Sequence, residues 1–368
     1  MDTDTIPVTG VDELDAHLDA LLEDPSLPPT AKLFDDVELQ LSDANTPPLI
    51  PRLLPKLTEI LKQYQQDPAV LCSLAVKLLG PVSFTQVLAM ASEEALIQAL
   101  RSPAPSANLL AMAILEKAAR SPADAAILAM MNSIVAAFLT TWLSAPQVEV
   151  GEKGTKVLGD LLDADCDTRP PPSDGGGSSV NGMEIAIRNK PPGQGLMWRR
   201  VFHDRDIYGL LLSLGSRGPH QSAEGGLSEQ QLTLAQGRLL RVMPRLAALN
   251  LAAVSRTDFP DLHERYLSSH ALGGGNDQGL LHFVALHMVD KEEDLLMHLN
   301  LVDFFESFVS LQRITPYSTF KMDTLRKLMK DALDGDDRLR SAMLDLPNRT
   351  VPEEAEELRS FVREILQL

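Results

Sequence analysis

Cysteine is nearly absent from this sequence: its 368 residues hold two, Cys72 and Cys166. They lie far apart and outside any CxxC or CxxH spacing, which argues against a disulfide framework and a structural zinc site. Aromatic residues are scarce as well, at 5%, with two Trp and four Tyr. Leu and Ala dominate instead, and both favour helix over strand. Basic charge is the third shortage, because 33 Lys and Arg against 51 Asp and Glu leave a net charge of -18. No Lys/Arg-rich run occurs; Arg199, Arg200 and Arg205 stand near one another, and Arg238, Arg241 and Arg245 follow at helical spacing. So acidic a protein repels phosphate, which makes nucleic acid and anionic membrane surfaces poor direct partners and a basic protein surface a better one. Long apolar runs are missing too. The most apolar stretch, Ala123–Ala145, is interrupted by Asp124, Asn132, Ser133 and two threonines, and reads as a fully buried central helix rather than a membrane span. The opening MDTDTIPVTGVDELD is acidic and lacks the apolar core of a secretory signal, so the expected compartment is cytoplasm, nucleus or both.

Proline, by contrast, is plentiful and regularly placed. Pro25, Pro28, Pro47, Pro68, Pro81, Pro103, Pro122 and Pro146 recur about every 20 residues, at the junctions of apolar-periodic runs. Proline is tolerated in a first helical turn, where its missing N–H has no partner to lose, and breaks a helix elsewhere. The rhythm therefore predicts helix, short turn, helix. The N-terminal helices expected are 11–23, 30–41, 47–65, 68–79, 83–100 (interrupted), 106–120, 122–144 and 148–164. Val70, Leu71, Leu74, Leu78 and Leu79 recur on one helical face, as do Leu109, Leu110, Ala113, Ile114 and Ala118. Asp67, Ser83, Ser106, Ser121 and Ser228 stand where N-caps belong. Helix pairs of about 40 residues are the period of HEAT and armadillo repeats, whose stacking builds one continuous core. The expected fold is all-α: an armadillo/HEAT-like α-solenoid of stacked helix pairs with a disordered central loop.

That loop is the stretch 165–195, with RPPPSDGGGSSVNG and PPGQG, which cannot fill a core; Met183–Arg188 is its one candidate for a short extended piece. The division expected is 1–164 for N-terminal helical repeats, 165–195 for the loop and 196–368 for C-terminal repeats. Gly215–Gly226 is a shorter break. The helices expected after the loop are 196–214, 228–254, 261–270, 278–289, 291–314, 318–333, 337–344 and 351–366. Up to Asp165, about 10 basic residues stand against about 23 acidic ones, so the first half carries most of the negative excess. It reads as a solvated face or as a contact surface for a basic partner.

A search for chemistry returns nothing that closes. His282 and His287 are five apart, off one helical face, and His263–Glu264 lacks the second His of a zinc motif, so no metal site is expected. Gly175–Gly177 and Gly273–Gly275 lack the lysine and the strand of a phosphate loop. There is no GxSxG, and Cys166 has no adjacent base. Adjacent acids such as Glu93–Glu94 and Glu292–Glu293–Asp294 point around different sides of a helix and serve its dipole better than acid–base work. No catalytic residue and no cofactor are expected; the expected activity is protein binding.

The densest unusual segment is Leu196–Leu214, LMWRRVFHDRDIYGLLLSL. Trp and Arg are interface anchors, so it can be a contact surface. Equally, Trp198, Phe202, Ile207 and Leu211 can seal the junction between the halves, with Arg205 and the aspartates pairing locally. Its WRRVFxDxDIYxLLxSL pattern resembles the central repeat of the proteasome non-ATPase regulatory subunit 5 family, which includes fungal chaperones historically labelled mismatch-repair proteins. The resemblance implies an armadillo/HEAT superhelix that assists assembly of the base of the proteasome 19S regulatory particle. In that family a concave groove takes the C-terminal domain of an AAA-type ATPase subunit, and no catalytic residues are involved. Placing the second helix of each pair on the concave side points to Glu116, Arg120, Lys156 and Asp160 as contacts, then Trp198, Arg199 and Arg200 near the junction. A different helical-repeat adaptor, for transport or the cytoskeleton, is the alternative, although no basic or Asn-lined ladder supports it.

Overall fold

The computed structural model describes residues 7–168, 192–217, 226–266 and 278–367. Among them all regular structure is helical and no strand occurs. Met1–Arg120 and Ser121–Leu368 pack as two compact units.

The first unit contains α1 (Val11–Glu23), α2 (Ala31–Glu38), α3 (Ile50–Gln63), α4 (Ala69–Leu79), α5 (Phe84–Met90), α6 (Glu93–Leu100) and α7 (Pro105–Ala118). Neighbours α1/α2, α3/α4 and α6/α7 form hairpins, while α3 lies on α1, α4 on α2 and α7 on α4. α3, α4 and α7 thus pack on their counterparts in the preceding pair, as solenoid stacking requires. The periodicity explains it: Leu14, Leu18 and Leu21 of α1, Leu53, Leu57 and Ile60 of α3, and Leu71, Leu74 and Leu78 of α4 are all buried, one turn apart. By leaving water, each of them contributes about 1.5–3 kcal/mol. The interruption expected within 83–100 falls at Ala91–Ser92, where Ser92 caps α6 through Ala95 N at 3.2 Å. Ser83 caps α5 in a reciprocal box with Gln86. Ser106 caps nothing, because α7 begins at Pro105 with Ala104 in the cap position. Proline also proves less final than its rhythm suggests. Pro55 stands inside α3 and Pro244 inside a later helix, each withholding one backbone hydrogen bond that the surrounding packing outweighs.

The second unit opens with α8 (Pro122–Met130), α9 (Asn132–Ser144), α10 (Val148–Ala164), α11 (Leu196–Phe202), α12 (Arg205–Gly215) and α13 (Glu229–Leu249). Here α11 lies on α8, α12 on α9 and α13 on α10, so triad stacks on triad. Short α14 (Leu251–Ser255) and α15 (Pro260–Tyr266) follow, then α16 (Leu280–His282), which runs into a π-helical turn at Phe283–His287. Last come α17 (Leu295–Ile314), α18 (Thr319–Leu333), α19 (Asp337–Asp345) and α20 (Pro352–Leu366). α17 lies on α13, α19 on α17 and α20 on α18.

One expectation fails here. The single central helix over 122–144 is two helices, α8 and α9, bent by 94° at Met131. Bending lets α8 bury its face against α11 while α9 buries its own against α12 and α13; no proline or glycine marks the break. The stretch is not fully buried either, since Ile127 and Met130 are exposed, the latter by 70%. Among the described residues no single helix is long and apolar enough to cross a membrane. The helix expected over 228–254 also divides, at Asn250, whose side chain accepts from Ala253 N at 3.0 Å.

Most of the Pro/Gly/Ser-rich stretch, with Met183–Arg188, lies outside the described residues, as do the disorder expected of it and most of Gly215–Gly226. Its two described ends are pinned together. The Asp165 carboxylate is fully buried and accepts from Gln194 N at 3.0 Å and Met197 N at 2.5 Å, while Gly193 N donates to Cys166 O at 2.8 Å. Packing therefore runs from α10 to α13 within one unit, and the boundary by packing falls at Arg120/Ser121. The division at 164 and 196 is one of composition alone.

Candidate protein-binding surface

In the first unit, α7 presents Glu116, half-buried; Arg120, exposed, follows two residues beyond the helix. Between them Lys117, which sequence reasoning passed over, turns inward. Its Nζ donates to Leu79 O at 2.6 Å and Gly80 O at 3.2 Å, and Arg120 Nη1 reaches Gly80 O at 3.4 Å. Both cations thus serve the carbonyl end of α4, where the helix dipole favours positive charge. Burial, aided by the neighbouring Arg120, pulls the Lys117 amine down to about 8.

In the second unit, Lys156 and Asp160 pair one turn apart on α10, with Lys156 Nζ at 2.8 Å from Asp160 Oδ2. Asp160 also receives Arg245 Nη2 at 2.8 Å from α13. Burial would raise the Asp160 carboxyl, but hydrogen bonds from Lys156 and Arg245 outweigh it and hold the group below its ordinary value. The arginines of α13, three and then four residues apart, are all turned toward the preceding triad. Arg241 pairs with Glu152. Arg238, 8% exposed, donates to Trp142 O at 2.7 Å and Leu143 O at 3.1 Å, closing the carbonyl end of α9, and to Gln147 O at 3.0 Å, the cap of α10. Two glycines of α10 make this approach possible. A Cβ at Gly151 would stand 2.1 Å from Arg238 Nε, and one at Gly154 would stand 2.4 Å from Trp142 Cδ1. Glycines three apart in an otherwise amphipathic helix were the available signal.

Trp198 lies inside the unit. It is 3% exposed, donates Nε1 to Leu162 O at 2.8 Å and stacks on Phe202 at 5.3 Å between ring centroids. Its neighbours face outward. Arg200 donates Nε to Ala129 O at 2.8 Å and Nη1 to Asp204 Oδ2 at 2.5 Å, and Asp204 in turn caps α12 through Asp206 N and Ile207 N. Arg205 pairs with Asp261 of α15, 56 residues away, and not locally as expected. His203 Nδ1 meets Asp258 Oδ2 at 2.5 Å. Arg199 is exposed and has no ion-pair partner among the described residues. These groups border an open hollow of about 490 Å³ between the end of α8 and α11, lined by Ala129, Met130, Leu196, Arg199, Arg200, His203 and Asp204. Of the expected contact residues in this unit, the structure brings Arg199 and Arg200 together at the hollow and places Lys156 and Asp160 on α10.

The histidines form a different kind of group. His263 and His282 are buried. His263 Nε2 lies 2.8 Å from the Tyr208 hydroxyl, and burial, with His287 and His282 nearby, pulls its pKa down to about 4. His287 is lowered too, by burial, with Asp331 opposing. Among the described residues no group of three His, Cys, Asp or Glu could hold a metal ion. A depressed folded-state pKa means stability that is whole above the unfolded value near 6.5 and is lost as pH falls toward about 4. At about 1.4 kcal/mol per pKa unit, His263 is worth roughly 3 kcal/mol across that window. Urea unfolding between pH 7 and 4 is expected to show this loss in the wild type and a smaller one in His263→Gln; equal slopes would remove His263 as the cause.

Against known families, residues 15–148 match the one described as "DNA mismatch repair protein HSM3, N terminal domain". No curated protein matches the sequence. The matched stretch lies wholly outside Trp198–Leu214, the segment that carries the family pattern in the second half. Residues 15–148 are similar to the N-terminal domain of HSM3, and this independent stretch bears out the family resemblance.

Proposed function

We propose that the protein is a non-catalytic chaperone for assembly of the proteasome regulatory-particle base, and that it works by binding the C-terminal domain of an AAA-type ATPase subunit. The observation that carries this reading is the HSM3 match over residues 15–148, joined to the Trp198–Leu214 pattern. Counterpart-on-counterpart helix stacking supports it, because such stacks offer extended surfaces to protein partners. Contacts in this reading come from Arg199 and Lys156 in the second unit and from Glu116 and Arg120 in the first. Asp160 and Arg200 position their neighbours, and Trp198 supports α11 from within. The work takes place in the cytoplasm, with the nucleus as a second compartment. Immobilised protein incubated with the purified C-terminal domain of each base ATPase subunit is expected to retain one of them. Retention of none would overturn the proposal.

The mismatch-repair wording of the family description invites a DNA test. With a net charge of -18, and with Arg238, Arg241 and Arg245 spent on internal partners, no basic track remains on α13. Duplex DNA is expected to bind more weakly than the ~100 μM limit of ordinary non-specific binders at physiological salt. A gel shift at low micromolar protein would contradict this.

A further inference from the structure

From the hollow at α8 and α11 we propose a docking pocket for a carboxylate side chain borne on a partner helix beside a large apolar residue. The inference rests on the protein-binding reading above and names the chemistry that this one site selects.

Charge sets the first preference. Along the α11–α12 turn, Arg200 is answered by Asp204, His203 by Asp258 and Arg205 by Asp261. Of the arginines on this turn, Arg199 is the one left exposed with no ion-pair partner among the described residues, in a protein whose net charge is -18. An uncompensated guanidinium at the rim of a hollow prefers a carboxylate, which it can grip through two parallel N–H donors. Beside it stands Met130, an apolar side chain 70% exposed, with Leu196 half-buried below. A flexible thioether in contact with solvent adapts to varied apolar partners. The pairing of one cation with one soft apolar wall fits an acidic residue and an apolar residue on one face of a partner helix, three or four positions apart.

The terminal carboxylate of a partner polypeptide fits less well. Such a group is usually taken by free backbone amides, and the amides at the start of α12, those of Asp206 and Ile207, are already given to Asp204. A basic partner side chain is disfavoured by Arg199 and Arg200 together, the latter having already taken the Ala129 carbonyl that a cation would seek.

Methyl-labelled methionine in the full-length protein gives a direct readout at Met130. The probes are three 16-residue alanine-based helical peptides carrying Leu and, four positions later, Glu, Gln or Lys. The Glu peptide is expected to shift the Met130 methyl resonance saturably, the Gln peptide at least about tenfold more weakly, which is near 1.4 kcal/mol, and the Lys peptide not at all. Arg199→Glu should reverse the order of the Glu and Lys peptides, and because Arg199 is exposed its folding is unaffected. Equal shifts from all three peptides, no shift from any, or an Arg199→Glu variant that titrates like wild type would each overturn the pocket. The ATPase-domain retention experiment stands apart: a protein that retains an ATPase domain with Arg199→Glu unimpaired keeps the function and loses the pocket. One that responds to the Glu peptide but retains no ATPase domain keeps the pocket and loses that partner.

Discussion

Arg238→Ala is expected to destabilise the second unit by about 4 kcal/mol, among the largest effects of any single truncation in the protein. Arg238 is buried and supplies three donors to the Trp142, Leu143 and Gln147 carbonyls. The C-terminal carbonyls of a helix have no intrahelical donor, so removing the guanidinium strands those of Trp142 and Leu143 away from water, while Gln147 O, at the start of α10, keeps Gly151 N at 3.3 Å. A void opens as well, because the space over Gly151 is filled by the guanidinium itself. Burial lowers the basicity of Arg238, yet a guanidinium so lowered still keeps its proton at neutral pH. Arg238→Lys should recover only part of the loss, since a point charge cannot serve three carbonyls in a fixed fan. Urea midpoints at constant m-value are the measurement. A change below about 1 kcal/mol would mean that the carbonyls find other donors.

Asp165→Ala is the second, at about 3–5 kcal/mol. The carboxylate is wholly buried and holds the amides of Gln194 and Met197, tying the start of α11 to the end of α10. Alanine orphans both amides at once. Asp165→Asn keeps one accepting oxygen and should lose about half as much. Hydrogen exchange at the Met197 amide should quicken in both variants before global stability is lost; unchanged protection would sink the assignment. There is also a pH consequence. Burial lifts the Asp165 pKa above its ordinary value despite the amide hydrogen bonds that lower it. Its contribution is therefore present below the unfolded carboxylate value and fades as pH rises through the raised folded one. That opposes the acid loss from His263, so Asp165→Asn should begin acid unfolding at a higher pH than wild type.

Much of the fold was legible because it is local. Proline spacing, the caps at Ser83, Ser121 and Ser228, and leucines one turn apart each act within a few residues, and each reappears in the helices. What escaped was long-range. The helical spacing of Arg238, Arg241 and Arg245 was plain, but their targets lie about 90 residues upstream, where no periodicity points to them. The bend at Met131 has no proline or glycine; it exists because α8 and α9 bury against different helices. Trp198 suited two roles by composition, and only its bond to Leu162 O puts the ring indoors. The hollow was half visible: Arg199 could be named from sequence, but its lack of a partner depends on where Asp204, Asp258 and Asp261 fall.

The glycines of α10 also bear on the order in which the protein acquires its structure during synthesis. Gly151, Gly154 and Gly159 each weaken that helix by about 1 kcal/mol relative to alanine. What offsets them is the insertion of Trp142 and of arginines from α13, the latter made about 90 residues later. At ordinary translation speed that interval is about 5–20 s. For that time a nascent α10 has Trp142 of α9 and its own Lys156–Asp160 pair but lacks the arginines, so the ribosome exposes a segment that the arrival of α13 completes.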